Sequence, residues 1–239
     1  MTVLAARALV PGGRGAAPLD FSLDAGAICC ILGPPGRGKE DWLRTLAAVD
    51  RPAAGELELA GQAVRGIDDA RWLALRRRVA YIGASPALLS VLTAEANVML
   101  AAQYHRTGEA DTIRAKAQAL LVRLGWAGAL DALPAYLDER QRLLLALARC
   151  LILEPRILFL HEPFRQIDPG AWRQFGAMLA GLVRDGGPAL VVVTHNLEFA
   201  RHHADRVLFA GQAGMTEYRG WDAFAAANGE VREYLAAGA

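Results

Sequence analysis

The sequence predicts an α/β fold, with a parallel sheet covered by helices on both faces, an N-terminal antiparallel β part and a helical insertion. Three observations predict it. First, "AICCIL" (27–32) is a buried strand, followed by a Gly/Pro loop and the helical pattern "EDWLRTLAAV" (40–49). Second, two all-apolar runs, "ILFL" (157–160) and "ALVVVT" (189–194), flank a helical segment at 170–185. Third, residues 86–150 are rich in Ala, Leu and Arg at helical spacing and contain no clear strand.

The elements follow in order. Residues 1–26 carry turn signals ("PGGRG", "DAG") around short apolar stretches, which suggests edge strands. "RPAAGELELAGQAV" reads as a turn, a strand and a tight turn. Residues 70–78 are helical and basic, and "VAYIG" (79–83) is a strand. The tail from 221 on is helical, polar and Ala-rich. One domain, 1–239, is expected, with a core of 1–84 and 151–239 and a helical subdomain at 85–150.

Composition narrows the function. The 239 residues are 54% hydrophobic and 21% charged, as in a globular chain. A net charge of +1 gives no bulk field to recruit nucleic acid or an acidic membrane. Lysine occurs only at Lys39 and Lys116. No apolar run is long enough to cross a bilayer, and the N-terminal stretch is a poor secretion signal. Cys29, Cys30 and Cys150 sit in apolar contexts and read as buried free thiols; their spacing makes a poor zinc site.

The stretch "ILGPPGRGKED" carries the chemistry. Gly33, Gly38 and Lys39 complete the spacing G-x-x-x-x-G-K. Backbone N–H groups of residues 36–40 at a helix N-terminus form an anion cradle, Gly36 and Gly38 allow close approach, and Lys39 reaches the terminal phosphates. A Ser or Thr that holds magnesium should follow, but here it is Glu40, with Asp41 in the same turn. Both carboxylates also suit a bare helix N-terminus.

These marks, with others in the same order, resemble the ATP-binding subunit of ABC transporters along nearly the whole chain. "GPPGRGK" matches the first phosphate motif, and "TLAAVDRPAAGELELAG" the stretch after it. "AYIGASPALLSVLTAEANV" resembles the segment joining core to helical subdomain. "LDERQRLLLALARCLILEPRILFLHEPF" lies without a gap on the signature helix and second nucleotide motif, and "VVVTHN" on the switch-histidine loop. "EPFRQIDP" and "NGEVREYLAAGA" are similar to lipid transporters of the Mla/MCE type. The fold implied is the P-loop NTPase core of the ABC ATPases.

The resemblance also shows departures. Where it implies an Asp that orders magnesium, the chain has His161; Glu162, which would orient the attacking water, remains. Positions 40 and 161 face each other across the metal site in this family. An ion pair between Glu40 and His161 is therefore expected to fill the place of the metal. No metal site is expected, magnesium is expected to be absent, and ATP is possible with its binding in doubt. The signature L-S-G-G-Q is here Leu137, Asp138, Glu139, Arg140 and Gln141; the plain reading is an Asp138 helix cap with an Asp138–Arg142 pair. The linker Gln is Gly83. Leu9 or Val10 would have to replace an aromatic under adenine. His195 can contact a γ-phosphate, Asp168 orders the D-loop, and His202 and His203 are surface residues.

The reading that follows is a subunit impaired in hydrolysis, a pseudo-ATPase docked on a membrane permease near 83–105. It would sit at the inner face of the cell membrane, as a homodimer or heterodimer with another ATP-binding subunit, and bind no nucleic acid. Two rivals stay open: an unusual working ATPase using Lys39, Glu162 and His195, and a soluble regulator of another ATPase.

Overall fold

The computed structural model describes every residue except 13–15, 166, 228 and 239; the side chain of Pro169 is also outside it. The order of elements is β1 (Thr2–Val10), β2 (Leu19–Asp24), β3 (Ile28–Leu32), α1 (Lys39–Leu46), β4 (Ala54–Leu59), β5 (Gln62–Ala63), α2 (Asp69–Arg78) and β6 (Val79–Ile82). Then come α3 (Ala94–Tyr104), α4 (Ala110–Arg123), a 3-10 turn (Pro134–Tyr136) and α5 (Glu139–Leu151). The chain continues with β7 (Ile157–His161), α6 (Pro169–Arg184), β8 (Ala189–Val193), α7 (Leu197–His203), β9 (Arg206–Ala210), β10 (Met215–Arg219), α8 (Gly220–Ala225) and α9 (Glu230–Ala237).

Two sheets form. One is antiparallel, in the order β2-β1-β4-β5; the other runs β10-β9-β3-β8-β7-β6 and is parallel except for the β9–β10 pair. The parallel strands are nearly continuous apolar runs because both faces are covered. Alternation along them splits the core. Cys29, Ile31, Ile157, Phe159, Val191 and Val193 face the antiparallel sheet and Trp42, Leu43 and Leu46 of α1. Cys30, Leu32, Leu158, Leu160 and Val192 face the helical side, which includes α3, α4 and α5. Cys29 and Cys30 are fully buried, and burial pushes both thiols up in pKa; Cys150 is half-buried and pushed up to about 11.

Between β6 and β7 the described residues hold helices and no strand. The strands β9 and β10 are not singled out by the sequence pattern. β10 (MTEYR) is an edge strand with no fully buried residue, so burial leaves no apolar run to read.

Caps set the helix starts. Asp68 caps α2 at Arg71 N, and Thr93 caps α3 at Ala96 N. Asp138 and Gln141 cap α5 reciprocally, with Gln141 N donating to Asp138 Oδ1 at 2.7 Å and Asp138 N to Gln141 Oε1 at 3.0 Å. The expected Asp138–Arg142 side-chain pair is absent. Arg142 Nε instead donates to the Pro134 carbonyl at 3.0 Å, tying the helix to the turn before it.

Candidate functional site

The C-terminal ends of the parallel strands converge on a cleft of about 610 Å³. It is lined by residues 35–41 on one wall and by His161, Glu162, Arg165 and 193–196 on the other. A ligand site at this edge follows from the open α/β topology.

The loop from β3 to α1 builds the first wall. Gly33 has φ 140°, and a Cβ there would lie 2.7 Å from the Ala210 carbonyl oxygen, so only glycine lets the loop leave β3 beside β9. Gly36 (φ 75°) and Gly38 (φ 73°) are left-handed. A Cβ at Gly36 would meet nothing, so the surface there is open to a ligand. Lys39 is buried, and its Nζ donates to the carbonyls of Gly33 at 2.6 Å and Pro34 at 2.8 Å. Burial pulls its pKa down, and Glu162 opposes this. These backbone acceptors hold the ammonium where a phosphate would replace them.

The opposite wall is built at the ends of β7 and β8. Glu162 carries φ 51°, a left-handed backbone that a non-glycine residue seldom adopts, which aims its side chain into the cleft. Its N–H donates to the Val193 carbonyl at 2.8 Å. Its Oε1 lies 3.2 Å from His195 Nε2, and its Oε2 accepts from the His195 amide at 3.3 Å. Burial raises the Glu162 pKa, against the His195 amide, Lys39 and Arg165. Burial lowers that of His195, helped by Lys39 and His161. Burial thus favours the neutral form of each partner, and the contact does not depend on a charged imidazole.

The expected Glu40–His161 ion pair does not form. His161 Nδ1 is buried with no hydrogen-bond partner, and Glu40 is exposed at the start of α1. Burial depresses the His161 pKa; the field of Glu40 opposes this, while Lys39 and Arg165 add to it.

The signature residues do not reach the cleft within one chain. Leu137 is buried, Asp138 caps α5, and Arg140 Nε is buried without a partner. Glu139 comes nearest, sharing with Gly83, His161 and Glu162 a small cavity of about 20 Å³. Asp168 caps α6 at Gly170 N, at 2.8 Å. Leu9 is fully buried in β1 and is not available to stack on a base. One neighbour of the loop is invisible in the sequence: the Tyr234 ring of α9 packs on Phe209 of β9, with centroids 5.5 Å apart.

The residues present fit a nucleotide with its metal. The left-handed glycines leave the loop's backbone open to phosphates, and Lys39 already faces acceptors that a phosphate can replace. Magnesium takes hard oxygen ligands, and Glu40 and Glu162 both supply carboxylate oxygens to the cleft.

Comparison with known proteins bears on the same question. Residues 16–165 match the family model "ABC transporter". The chain is 35% identical over 193 residues to the aliphatic sulfonates import ATP-binding protein SsuB 1 of Xanthomonas axonopodis pv. citri, covering 81% of this chain and 73% of that protein. It is 34% identical over 210 residues to the lipoprotein-releasing system ATP-binding protein LolD of Maricaulis maris, covering 87% and 90%. Its fold matches a dimeric ATP-binding cassette, MJ0796, bound to ADP and Pi, with a TM-score of 0.80 at 22% identity over 90% of this chain and 98% of that one.

These relatives overturn the expectation that ATP binding is in doubt and magnesium absent. That expectation weighed the side chains at 40 and 161 too heavily. The cradle is backbone and survives both changes, and residue 40 still offers oxygen. The chain belongs to the ABC transporter family and is an ATP-binding domain of it.

Proposed function

We propose that the chain is the nucleotide-binding subunit of an ABC transporter that binds ATP in the 33–40 loop, turns it over slowly, and works chiefly by assembling with a membrane permease. The observation that carries the reading is the pairing of a complete phosphate loop with a signature that lacks its small polar residues. In ABC dimers the signature of one subunit closes over the γ-phosphate held by the other. Asp138 and Glu139 would bring carboxylates to that phosphate, where one unit charge at 4 Å costs about 4 kcal/mol at a protein surface. Asp138 is also committed to capping α5. A bound magnesium would neutralise charge on the phosphates; Lys39 would hold them, and Glu162, oriented by His195, would receive a proton from water.

Domain boundaries in this reading are 1–84 and 151–239 for the nucleotide core and 85–150 for the helical subdomain. The permease would dock on 83–105, at the inner face of the membrane. That surface is well prepared. Asn97 is fully buried, and its amide donates to the carbonyls of Leu89, Leu92 and Thr93 while accepting from Leu89 N. The pinned loop presents Leu89 (46% exposed) and Val91 (82% exposed) to a partner. Among the described residues, no helix is long and apolar enough to cross a membrane.

Cargo is not legible in this chain, whose relatives include proteins named for sulfonates, lipoproteins and glutamate. Lipid cargo of the Mla/MCE type rests on "EPFRQIDP" and "NGEVREYLAAGA", which include residues 166, 228 and 239 outside the described ones.

The test is phosphate release by the purified chain with Mg-ATP, beside a variant carrying Asp138→Ser, Glu139→Gly and Arg140→Gly. Binding of Mg-ATP by both, with turnover raised at least about tenfold in the variant, supports the reading. Equal, Glu162-dependent turnover in both would establish the working ATPase instead. Failure to co-purify with any membrane subunit would point to the soluble regulator.

A further inference from the structure

The turn after β7 brings a second cation to the cleft, on the wall opposite Lys39. Pro163 and Phe164 are buried, and the Phe164 ring packs on Phe175 and Phe199, with centroids 5.7 Å and 4.8 Å apart. The Arg165 amide donates to the Glu162 carbonyl at 3.2 Å, closing a tight turn on that left-handed residue. The backbone of Arg165 is thus fixed from both directions, while its side chain is exposed and lines the cleft. Glu40, Asp41 and Glu162 line the same cleft, yet among the described residues the Arg165 guanidinium enters no ion pair and no hydrogen bond. Its field reaches His161 and Glu162 and favours the less positive form of each. Lys39, by contrast, is already held by the carbonyls of Gly33 and Pro34. The cleft therefore has one wall whose cation is engaged and one whose cation is free to meet a ligand.

We propose that Arg165 is a nucleotide-binding residue: its guanidinium takes the terminal phosphate of ATP from the wall opposite Lys39. A guanidinium presents a planar fork of donors that matches phosphate oxygens and keeps its charge at every working pH. Glu162 stands on the same wall, so the phosphate that Arg165 meets is the one nearest the water that Glu162 would receive a proton from. ADP lacks that phosphate and depends on Arg165 less. The inference rests on the nucleotide reading above, and its test separates the two.

The experiment measures the Kd of ATP and of ADP, each with magnesium, by calorimetry on the whole chain, Arg165→Gln and Arg201→Gln. Arg201 is exposed in the last turn of α7 and does not line the cleft, so its loss removes the same charge from elsewhere. Both variants alter exposed side chains and should melt within about 2 °C of the wild type. Arg165→Gln is expected to weaken ATP about tenfold and ADP less than about threefold. Arg201→Gln is expected to stay within about twofold for both ligands. Unchanged ATP affinity in Arg165→Gln, an equal loss for ADP, or the same loss in Arg201→Gln would each overturn the proposal while leaving the nucleotide reading intact. A wild-type chain that bound neither ligand would overturn the nucleotide reading, and the role of Arg165 with it.

Discussion

Glu162 and His195 meet twice, through a carboxylate–imidazole contact at 3.2 Å and through the His195 amide at 3.3 Å. The double contact fixes the last residue of one strand–loop junction against the next, so the acid in the cleft points one way. It also makes the site sensitive to protons, because both groups are shifted toward their neutral forms by burial.

That shift predicts an acid-side loss of stability. His161, His195 and His203 all have pKa values pulled down by burial. Between the depressed folded value and the ordinary 6.5, the unfolded chain binds more protons, so stability rises with pH across that window and falls as pH drops below about 6.5. Melting temperature measured from pH 7.5 to pH 5.5 should decline. His161→Gln should reduce the slope, since Gln does not titrate. Glu162 acts in the opposite sense: with its pKa raised in the fold, stability falls as pH climbs from the ordinary 4.5 to the folded value, so Glu162→Gln should raise the melting temperature at pH 7.5. A flat profile in the wild type would refute the assignment of neutral histidines.

Lys39 is predicted to matter for ligand and little for fold. Its two carbonyl contacts lie within its own loop, so Lys39→Met keeps the stem packed and removes only the charge. A charge-assisted hydrogen bond is worth about 1.5–3 kcal/mol. The Kd for Mg-ATP by calorimetry should rise roughly tenfold to a hundredfold. A change under twofold would mean the loop does not bind phosphate through this side chain.

What the sequence disclosed, and what it withheld, follows from the range of each interaction. The β3 loop, β7 and β8 announce themselves because continuous apolar runs and left-handed glycines are local requirements. The Asp138 cap is equally local, needing only Gln141 three residues on. The Glu40–His161 pair failed because Glu40 lies exposed at the start of α1 while His161 Nδ1 is buried without a partner, a placement no local pattern encodes. Arg142 chose the Pro134 carbonyl over Asp138 because the turn before α5 folds back on it, which spacing alone does not encode. Tyr234 packs on Phe209, 25 residues earlier in the chain, and no local pattern joins them.

Asn97 separates folding from docking. Replacing it with Ala removes the partner of Leu89 N–H and of the Leu92 carbonyl in a part-buried setting, while the Leu89 and Thr93 carbonyls keep their backbone donors. The expected cost is about 2–3 kcal/mol, or roughly 4–12 °C in melting temperature for a chain of this size. Val91→Asp should leave the melting temperature within about 2 °C, because an exposed surface change costs under about 0.5 kcal/mol. It should nonetheless abolish co-purification with the permease. Retained co-purification would move the docking surface elsewhere.

Glu40 decides how the metal is held. An exposed carboxylate at the start of α1 stands where a hydroxyl would ligate magnesium, and it is the residue by which this loop departs most from the phosphate-loop pattern. If its oxygen takes up that role, Glu40→Ala removes a hard ligand without touching the backbone cradle or Lys39. The concentration of magnesium needed for half-maximal binding of a fluorescent ATP should then rise at least about fivefold, a difference of about 1 kcal/mol. Binding measured with EDTA should change in the other direction, strengthening slightly, because a negative charge near the phosphates has gone. The two opposed shifts distinguish a ligand from a mere repulsive charge: were Glu40 purely repulsive, Glu40→Ala would bind ATP more tightly in both buffers.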